Sequence, residues 1–206
     1  MSMLRLSRAS EAPRVSICVP TRDMVHSAFA FDLAKLIQHS SIMGIEVLPH
    51  FCMGTLIVNQ REQLADMAGD AMASHVLWLD SDMMFPPDTL HRLLSHGKPI
   101  VAANYVTRQY PHKTVAYRSV GDWKSYVTHD GDNEELIEVE AMGMGCMLVT
   151  MEVIDRMKRP RFQTTYTESS GDHMGRTSTS AHAPGSLVTA YSWMITSAGG
   201  WVTWAR

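Results

Sequence analysis

The sequence predicts a single α/β domain built around a mostly parallel central sheet. Strand-like and helix-like segments alternate about four times between residues 15 and 103, a pattern typical of a doubly wound parallel sheet. The chain has 206 residues, 45% of them apolar and 19% charged, which is enough for one domain with a sizeable core and short for two. Its formal net charge of -3 gives no electrostatic basis for binding nucleic acid.

Each predicted strand is a short β-branched or apolar run, and each predicted helix has apolar residues at helical spacing. In the first half, strands are predicted at residues 15–20, 45–52, 75–79 and 100–103. The helices between them are predicted at residues 28–37, 59–73 and 86–94, the first with Ser27 as a candidate N-cap. Beyond residue 103 the pattern changes to short antiparallel strands at 114–117, 123–128 and 136–139, a Gly- and Met-rich run at 141–149 and a short helix at 152–157.

Composition divides the chain into four parts. We expect a flexible leader at residues 1–13, the α/β half at 14–105, an antiparallel region at 106–175 and an atypical, disordered tail at 176–206. Three widely spaced cysteines exclude a disulfide scaffold or a zinc ribbon and suit a reducing, cytoplasmic location. Residues 187–205 carry no charge, but their Ser, Thr and Gly content argues against a membrane-spanning helix.

Polar side chains are predicted to gather beyond the carboxyl ends of the first three strands, where ligands bind in open parallel sheets. The groups are Thr21-Arg22-Asp23 after the first strand, Asn59 and Arg61 after the second, and Asp80-Ser81-Asp82 after the third. Two carboxylates two residues apart on an extended segment point the same way and, at about 4 Å and an effective dielectric near 20, repel by on the order of 4 kcal/mol. A divalent cation relieves that repulsion, and oxygen ligands favour Mg²⁺ or Mn²⁺ with positions left for substrate phosphates.

Other interpretations of these residues stay open at this point. Acidic residues also collect before helices, where they cap the first turn and favour the helix dipole, so a lone D-x-D sequence is a weak signal. The position of this one directly after the hydrophobic run 76–79 strengthens the metal interpretation. Arg22 and Arg61 suit the phosphates of a nucleotide, but arginine is also common on solvated loops and helix surfaces.

Four segments together carry a family resemblance. They are V-S-I-C-V-P-T-R-D (15–23), N-Q-R-E-Q-L-A-D-M-A (59–68), H-V-L-W-L-D-S-D-M-M-F-P-P-D-T-L (75–90) and P-I-V-A-A-N-Y (99–105). With them the chain resembles the nucleotide-sugar glycosyltransferases of the GT-A fold, in particular family-2-like members, over about residues 14–160. The resemblance implies a Rossmann-like GT-A domain, a nucleotide-diphosphate sugar as donor, Mn²⁺ or Mg²⁺ as cofactor, and a glycan, lipid or protein as acceptor.

The resemblance also implies roles for single residues. The residues that would line the nucleotide pocket, within a nucleotide-sugar-binding half at 14–105, are Pro20, Thr21, Arg22 and Arg61. Asp80 and Ser81 would contact the ribose or the sugar, and Asp80 and Asp82 would be the metal ligands, with Asp82 the direct one. The segment 143–146, G-M-G-C, is similar to the small-residue strand near the acceptor, within an acceptor-side region at 106–175, and a buried glycine strand is the alternative.

The tail departs from the family pattern. An inverting transferase needs a base to deprotonate the acceptor hydroxyl, and in the family a carboxylate after the acceptor strand is that base. Residues 176–206 contain no Asp or Glu. Codon rules permit an acid-headed helix and a metal-binding His region there in another frame, so one hypothesis is a frame-shifted tail and the other a genuine, divergent C-terminus. Because residues 187–205 are uncharged and rich in aromatic side chains, truncation after Gly175 is expected to improve solubility and to leave donor binding intact.

Three functions are compatible with these observations. The leading one is a metal-dependent glycosyltransferase, impaired if the tail is altered, with its catalytic base unassigned. The first alternative is a non-catalytic remnant of the same fold that binds nucleotide-sugars or carbohydrates. The second is a sugar nucleotidyltransferase, but such enzymes carry a Gly-rich loop after the first strand, and residues 20–23, P-T-R-D, contain no glycine.

Overall fold

The computed structural model describes residues 12–107, 110–117, 136–139, 141–163, 165–166, 173–174 and 188–195. The strands are β1 (Arg14–Thr21), β2 (Glu46–Met53), β3 (His75–Leu79), β4 (Ile100–Tyr105), β5 (Ala116–Tyr117), β6 (Leu136–Val139), β7 (Ala141–Met142), β8 (Cys146–Thr150), β9 (Thr165–Tyr166), β10 (His173–Met174) and β11 (Val188–Ile195). The helices are α1 (Ser27–Ile42), α2 (Ile57–Asp70), α3 (Thr89–Ser95) and α4 (Met151–Arg156).

The central sheet is mixed but mostly parallel. Its order is β2-β1-β3-β8-β4-β11-β6. Strand β1 pairs in parallel with β2 and β3, and β4 pairs in parallel with β11, while β8 and β6 run antiparallel to their neighbours. The predicted fold class, a single α/β domain with a mostly parallel central sheet, is therefore confirmed. Two short antiparallel pairs, β5 with β7 and β9 with β10, lie outside the main sheet.

Alternate residues of the central strands pack into two separate apolar layers, one on each face of the sheet. In β3, Val76 and Trp78 belong to one layer, and Leu77 and Leu79 belong to the other. Helix α2 covers the Trp78 side, and helices α1 and α3 cover the Leu77 side. This arrangement follows from the two-residue repeat of a strand that is buried on both faces.

The helix ends differ from prediction for identifiable reasons. Ser27 is the first residue of α1 and not its N-cap, which is His26, because the extended His26 residue accepts the first intrahelical bond, from the Ala30 N–H at 2.9 Å. Helix α2 ends at Asp70 rather than at residue 73, because Met72 adopts a left-handed conformation with φ of 53°. The predicted strand at 123–128 lies outside the described residues.

Part of the tail forms a strand of the central sheet. Val188–Ile195 runs parallel to β4 and antiparallel to β6, which differs from the disorder expected for these eight residues. The segment reads V-T-A-Y-S-W-M-I, a β-branched and aromatic composition with high strand propensity. The hypothesis of a frame-shifted tail concerns the gene and stays a prediction, and the rest of the tail lies outside the described residues.

A membrane-spanning helix is also absent from the part of the chain that the structure describes. None of the four described helices combines the length and the hydropathy that crossing a bilayer requires.

Deletion of β11 should destabilise the fold. A chain ending at residue 187 loses the backbone pairing of β4 on one side and of β6 on the other. We expect its melting temperature, measured by circular dichroism, to fall by about 10 °C or more. The expectation that truncation after Gly175 improves solubility stays a prediction, and the pairing of β11 argues against it.

The matched control is a chain ending at residue 195, which keeps β11 and removes only residues 196–206. Equal melting temperatures for the full chain and the chain ending at 187 would show that β11 contributes nothing to stability.

Candidate functional site

The Asp80-Ser81-Asp82 turn lies at the carboxyl end of β3, where it is tied to two other elements. The Asp80 backbone N–H donates to the Gly145 carbonyl at 3.0 Å, directly before β8. The Ser81 carbonyl accepts the His26 N–H at the start of α1. The Met83 N–H closes the turn on the Asp80 carbonyl at 3.1 Å. The side chains of Asp80, Ser81 and Asp82 are each partly exposed, so they can contact a ligand.

The chain that leaves this turn is also fixed. The Phe85 N–H donates to Oδ2 of Asp32 on α1 at 3.2 Å, and the Phe85 ring meets the Phe29 ring edge to face at 5.8 Å between centroids. Phe85 therefore anchors the segment between Asp82 and α3 to helix α1.

Arg61 is the buried cation of the site. Its side chain is only 1% exposed, and its Nη2 lies 3.5 Å from Oδ1 of Asp80, whose side chain is 31% exposed. Burial lowers the pKa of Arg61, and the negative charge of Asp80 opposes that shift. A guanidinium stays protonated in such a setting. Arg61 is thus not a solvated helix residue but a support for the first carboxylate of the turn.

Helix α2 reaches the ends of β1 and β2 through a residue that the sequence analysis missed. Gln60 is buried, and its Nε2 donates to the carbonyls of Thr21, at 2.5 Å, and of Cys52, at 2.7 Å. The Gly54 N–H also donates to the Thr21 carbonyl. Gln60 therefore fixes the register of α2 against the sheet, and Arg61 follows it directly. Its place in N-Q-R-E, one residue before Arg61, was the signal that could have identified it.

The loop after β1 is shaped by Thr21. Its hydroxyl donates to the Met24 carbonyl at 2.9 Å. Pro20 and Thr21 are buried at the end of the strand, whereas Arg22 and Asp23 are exposed. Of the residues expected to line a pocket from this segment, Arg22 therefore presents the accessible side chain.

A cleft of about 210 Å³ opens between the end of β2 and the start of α2. It is lined by Met53, Gly54, Thr55, Leu56, Asn59, Gln60 and Gln63. Its volume is below the roughly 300–1,000 Å³ of clefts that hold a whole drug-sized ligand, so it fits one portion of a larger molecule. Asn59, predicted from the sequence as a site residue, lies in this cleft.

Tyr105 and two glycines, Gly143 and Gly145, pack together beside the acidic turn. The Gly145 N–H donates to the Tyr105 hydroxyl oxygen at 2.9 Å. A Cβ at Gly143 would lie 2.4 Å from Tyr105 Oη, and a Cβ at Gly145 would lie 2.6 Å from Oη and 3.2 Å from Asp80 Oδ2. Burial and the nearby charge of Asp80 raise the pKa of Tyr105, so the phenol stays protonated. The segment 143–146 is thus a buried glycine segment packed beside the site.

The donors available for a metal ion are few. Across the described parts of the chain, no group of three or more His, Cys, Asp or Glu side chains could hold a metal ion by itself. A cation at this turn would rely on Asp80, Asp82, water and ligand oxygens.

Comparison with known proteins establishes the fold. No protein family and no curated protein matches the sequence. The crystal structure of A197 from STIV superposes with a TM-score of 0.51 at 18% identity over 88% of this chain and 82% of that chain. A glycosyltransferase involved in the glycosylation of the major capsid of PBCV-1 gives a TM-score of 0.40 at 13% identity over 69% of this chain and 62% of that chain. At these identities the likeness to A197 shows a shared fold alone, so any activity has to be argued from the site.

Substitution of Gly145 by alanine should lower the stability of the protein by disturbing the packing of Tyr105 beside the acidic turn. The added Cβ would overlap the Tyr105 phenol and crowd Asp80 Oδ2. Overpacking of this kind destabilises by about 1–3 kcal/mol. Urea unfolding of the Gly145→Ala protein should show this loss.

Gly69→Ala provides the matched control. Gly69 lies in α2, and a Cβ there would meet only Met151 Cε, at an ordinary 3.8 Å. Because alanine is the better helix former, this variant should gain up to about 1 kcal/mol. Equal stabilities for the two variants would contradict the packing described for Gly145.

Proposed function

We propose that the chain is a glycosyltransferase that binds a nucleotide-diphosphate sugar through a divalent cation at the Asp80-Ser81-Asp82 turn. The single observation that carries the proposal is the placement of this partly exposed acidic turn at the carboxyl end of β3, with Asp80 held by the buried Arg61. The family resemblance of the same segment supports it.

The chemistry of the donor set fits Mg²⁺ or Mn²⁺. These ions take oxygen ligands and are commonly held by one or two carboxylates, with substrate phosphates and water completing the shell. Because Arg61 contacts Asp80, we assign Asp82 as the main metal ligand and Asp80 as the second ligand and contact to ribose or sugar. When bound, the cation would neutralise charge on the diphosphate leaving group as a Lewis acid.

The remaining parts of the donor have candidate partners on the same edge of the sheet. The exposed Arg22 guanidinium suits a phosphate, for which arginine offers planar paired donors. The cleft beside Asn59 and Gln63 offers amide donors and acceptors, and Met53 and Leu56 add apolar surface to it. We therefore place the nucleoside in that cleft and the diphosphate between Arg22 and the acidic turn.

The acceptor side supports a second candidate function, binding without turnover. An inverting transferase needs a base for the acceptor hydroxyl, and residues 176–206, where the family resemblance implies it, contain no Asp or Glu. This observation favours a nucleotide-sugar-binding module as the alternative. Metal-dependent binding with no release of free nucleoside diphosphate, with a panel of acceptors present, would select it over the transferase.

Replacement of Asp82 by asparagine should weaken metal-dependent nucleotide binding. The substitution removes one negative charge and leaves the side-chain shape nearly unchanged. In calorimetric titrations of UDP, GDP, CDP and ADP, we expect the wild type to bind at least one of them with Mn²⁺. Asp82→Asn should then lose at least about tenfold in that affinity, or 1.4 kcal/mol.

Asp70→Asn is the matched control, because Asp70 is an exposed residue at the far end of α2. Titrations in EDTA give the metal-independent baseline for each protein. Unchanged Mn²⁺-dependent affinity in Asp82→Asn would remove the metal assignment.

A further inference from the structure

We infer that Tyr105 is a positioning residue for the acidic turn, acting through the backbone of Gly145. The inference rests on the proposed function and deepens it. It assigns to Tyr105 the task of holding Asp80, and with it the spacing of Asp80 and Asp82, while the phenol itself touches neither cation nor substrate.

The first step is a chain of two hydrogen bonds. Gly145 accepts the Asp80 N–H on its carbonyl at 3.0 Å and donates its own N–H to the Tyr105 hydroxyl at 2.9 Å. The strand pairing between Leu79 and Cys146 ends immediately before these residues. The hydrogen bond from the Asp80 N–H to Gly145 is therefore the last backbone contact between β3 and the start of β8 before the turn begins.

The second step is the fit of the phenol into its place. Tyr105 is 9% exposed, and residues 143–146 are buried around it. The two glycines leave room for the ring where any side chain would overlap it. A phenylalanine would fill the same volume but would leave the Gly145 N–H without its acceptor, and an unmet buried donor destabilises by about 1–3 kcal/mol. The hydroxyl oxygen is thus the part of Tyr105 that the site needs.

The third step connects Tyr105 and Gly145 to the buried Arg61 side chain. Asp80 is held by its side chain to Arg61, from α2, and by its backbone to Gly145, between β7 and β8. The contact with Arg61, 3.5 Å between Nη2 and Oδ1, holds the Asp80 carboxylate, whereas the bond to Gly145 holds the Asp80 backbone. Loosening Gly145 would therefore let the turn shift relative to Arg61, and metal ligands tolerate little displacement.

Tyr105→Phe tests this inference with two measurements. In hydrogen–deuterium exchange by mass spectrometry, without nucleotide or metal, peptides covering 79–82 and 143–146 should exchange at least about tenfold faster than in the wild type. In calorimetry, the Mn²⁺-dependent affinity for the nucleoside diphosphate that the wild type binds best should fall about tenfold. Its affinity in EDTA should stay unchanged.

Ser74→Ala separates positioning from general destabilisation. Ser74 lies at the opposite end of β3, and its hydroxyl donates to the Arg14 carbonyl. This variant should lower the melting temperature without changing the ratio of affinities with Mn²⁺ and with EDTA. If Tyr105→Phe leaves that ratio unchanged, or leaves exchange at 79–82 unchanged, the inference is overturned while the proposed function stands. If the wild type itself shows no Mn²⁺-dependent binding of any of the four diphosphates, the proposed function fails and the role given to Tyr105 fails with it.

Discussion

The contact between Arg61 and Asp80 is the interaction on which the candidate site depends. A guanidinium that is 1% exposed has given up most of its hydration, so it needs nearby negative charge to remain stable. Asp80 supplies that charge from the end of β3. Gln60, the residue before Arg61 in α2, is bonded to the ends of β1 and β2. The position of Arg61 is therefore set by the sheet. The cation and the carboxylate therefore meet as a consequence of how α2 packs.

The acidic turn is held by contacts from several elements, so its backbone geometry is set before a ligand binds. Gly145 fixes its first residue, His26 fixes Ser81, and Asp32 fixes Phe85 behind it. These ties come from elements that are far apart along the chain. A site whose geometry is set before a ligand arrives loses less conformational entropy on binding. The partly exposed carboxylates can thus face a cation and a diphosphate without a large rearrangement.

The proposed donor and acceptor sides of the site differ in the functional side chains that they contain. The proposed donor side has two carboxylates, an exposed arginine and a cleft on one edge of the sheet. Within residues 176–206, β11 adds a strand to the sheet, but the segment contributes no Asp or Glu to the proposed acceptor side. Strand propensity and pairing partners were enough to place β11, because backbone pairing makes few demands on side-chain charge. Catalysis requires a specific side chain, and composition alone does not provide one.

The sequence by itself determined the alternation of strands and helices, the bounds of β3 and the position of the acidic turn, because periodicity and propensity are local properties. Only the tertiary structure decided that Arg61 is buried, that Gln60 ties α2 to the sheet, and that Gly143 and Gly145 make room for Tyr105. The strand formed by Val188–Ile195 was missed for the same reason, since its partners β4 and β6 lie far away in sequence. Contacts between distant segments depend on how the layers pack, and a pattern of neighbouring residues carries no record of that packing.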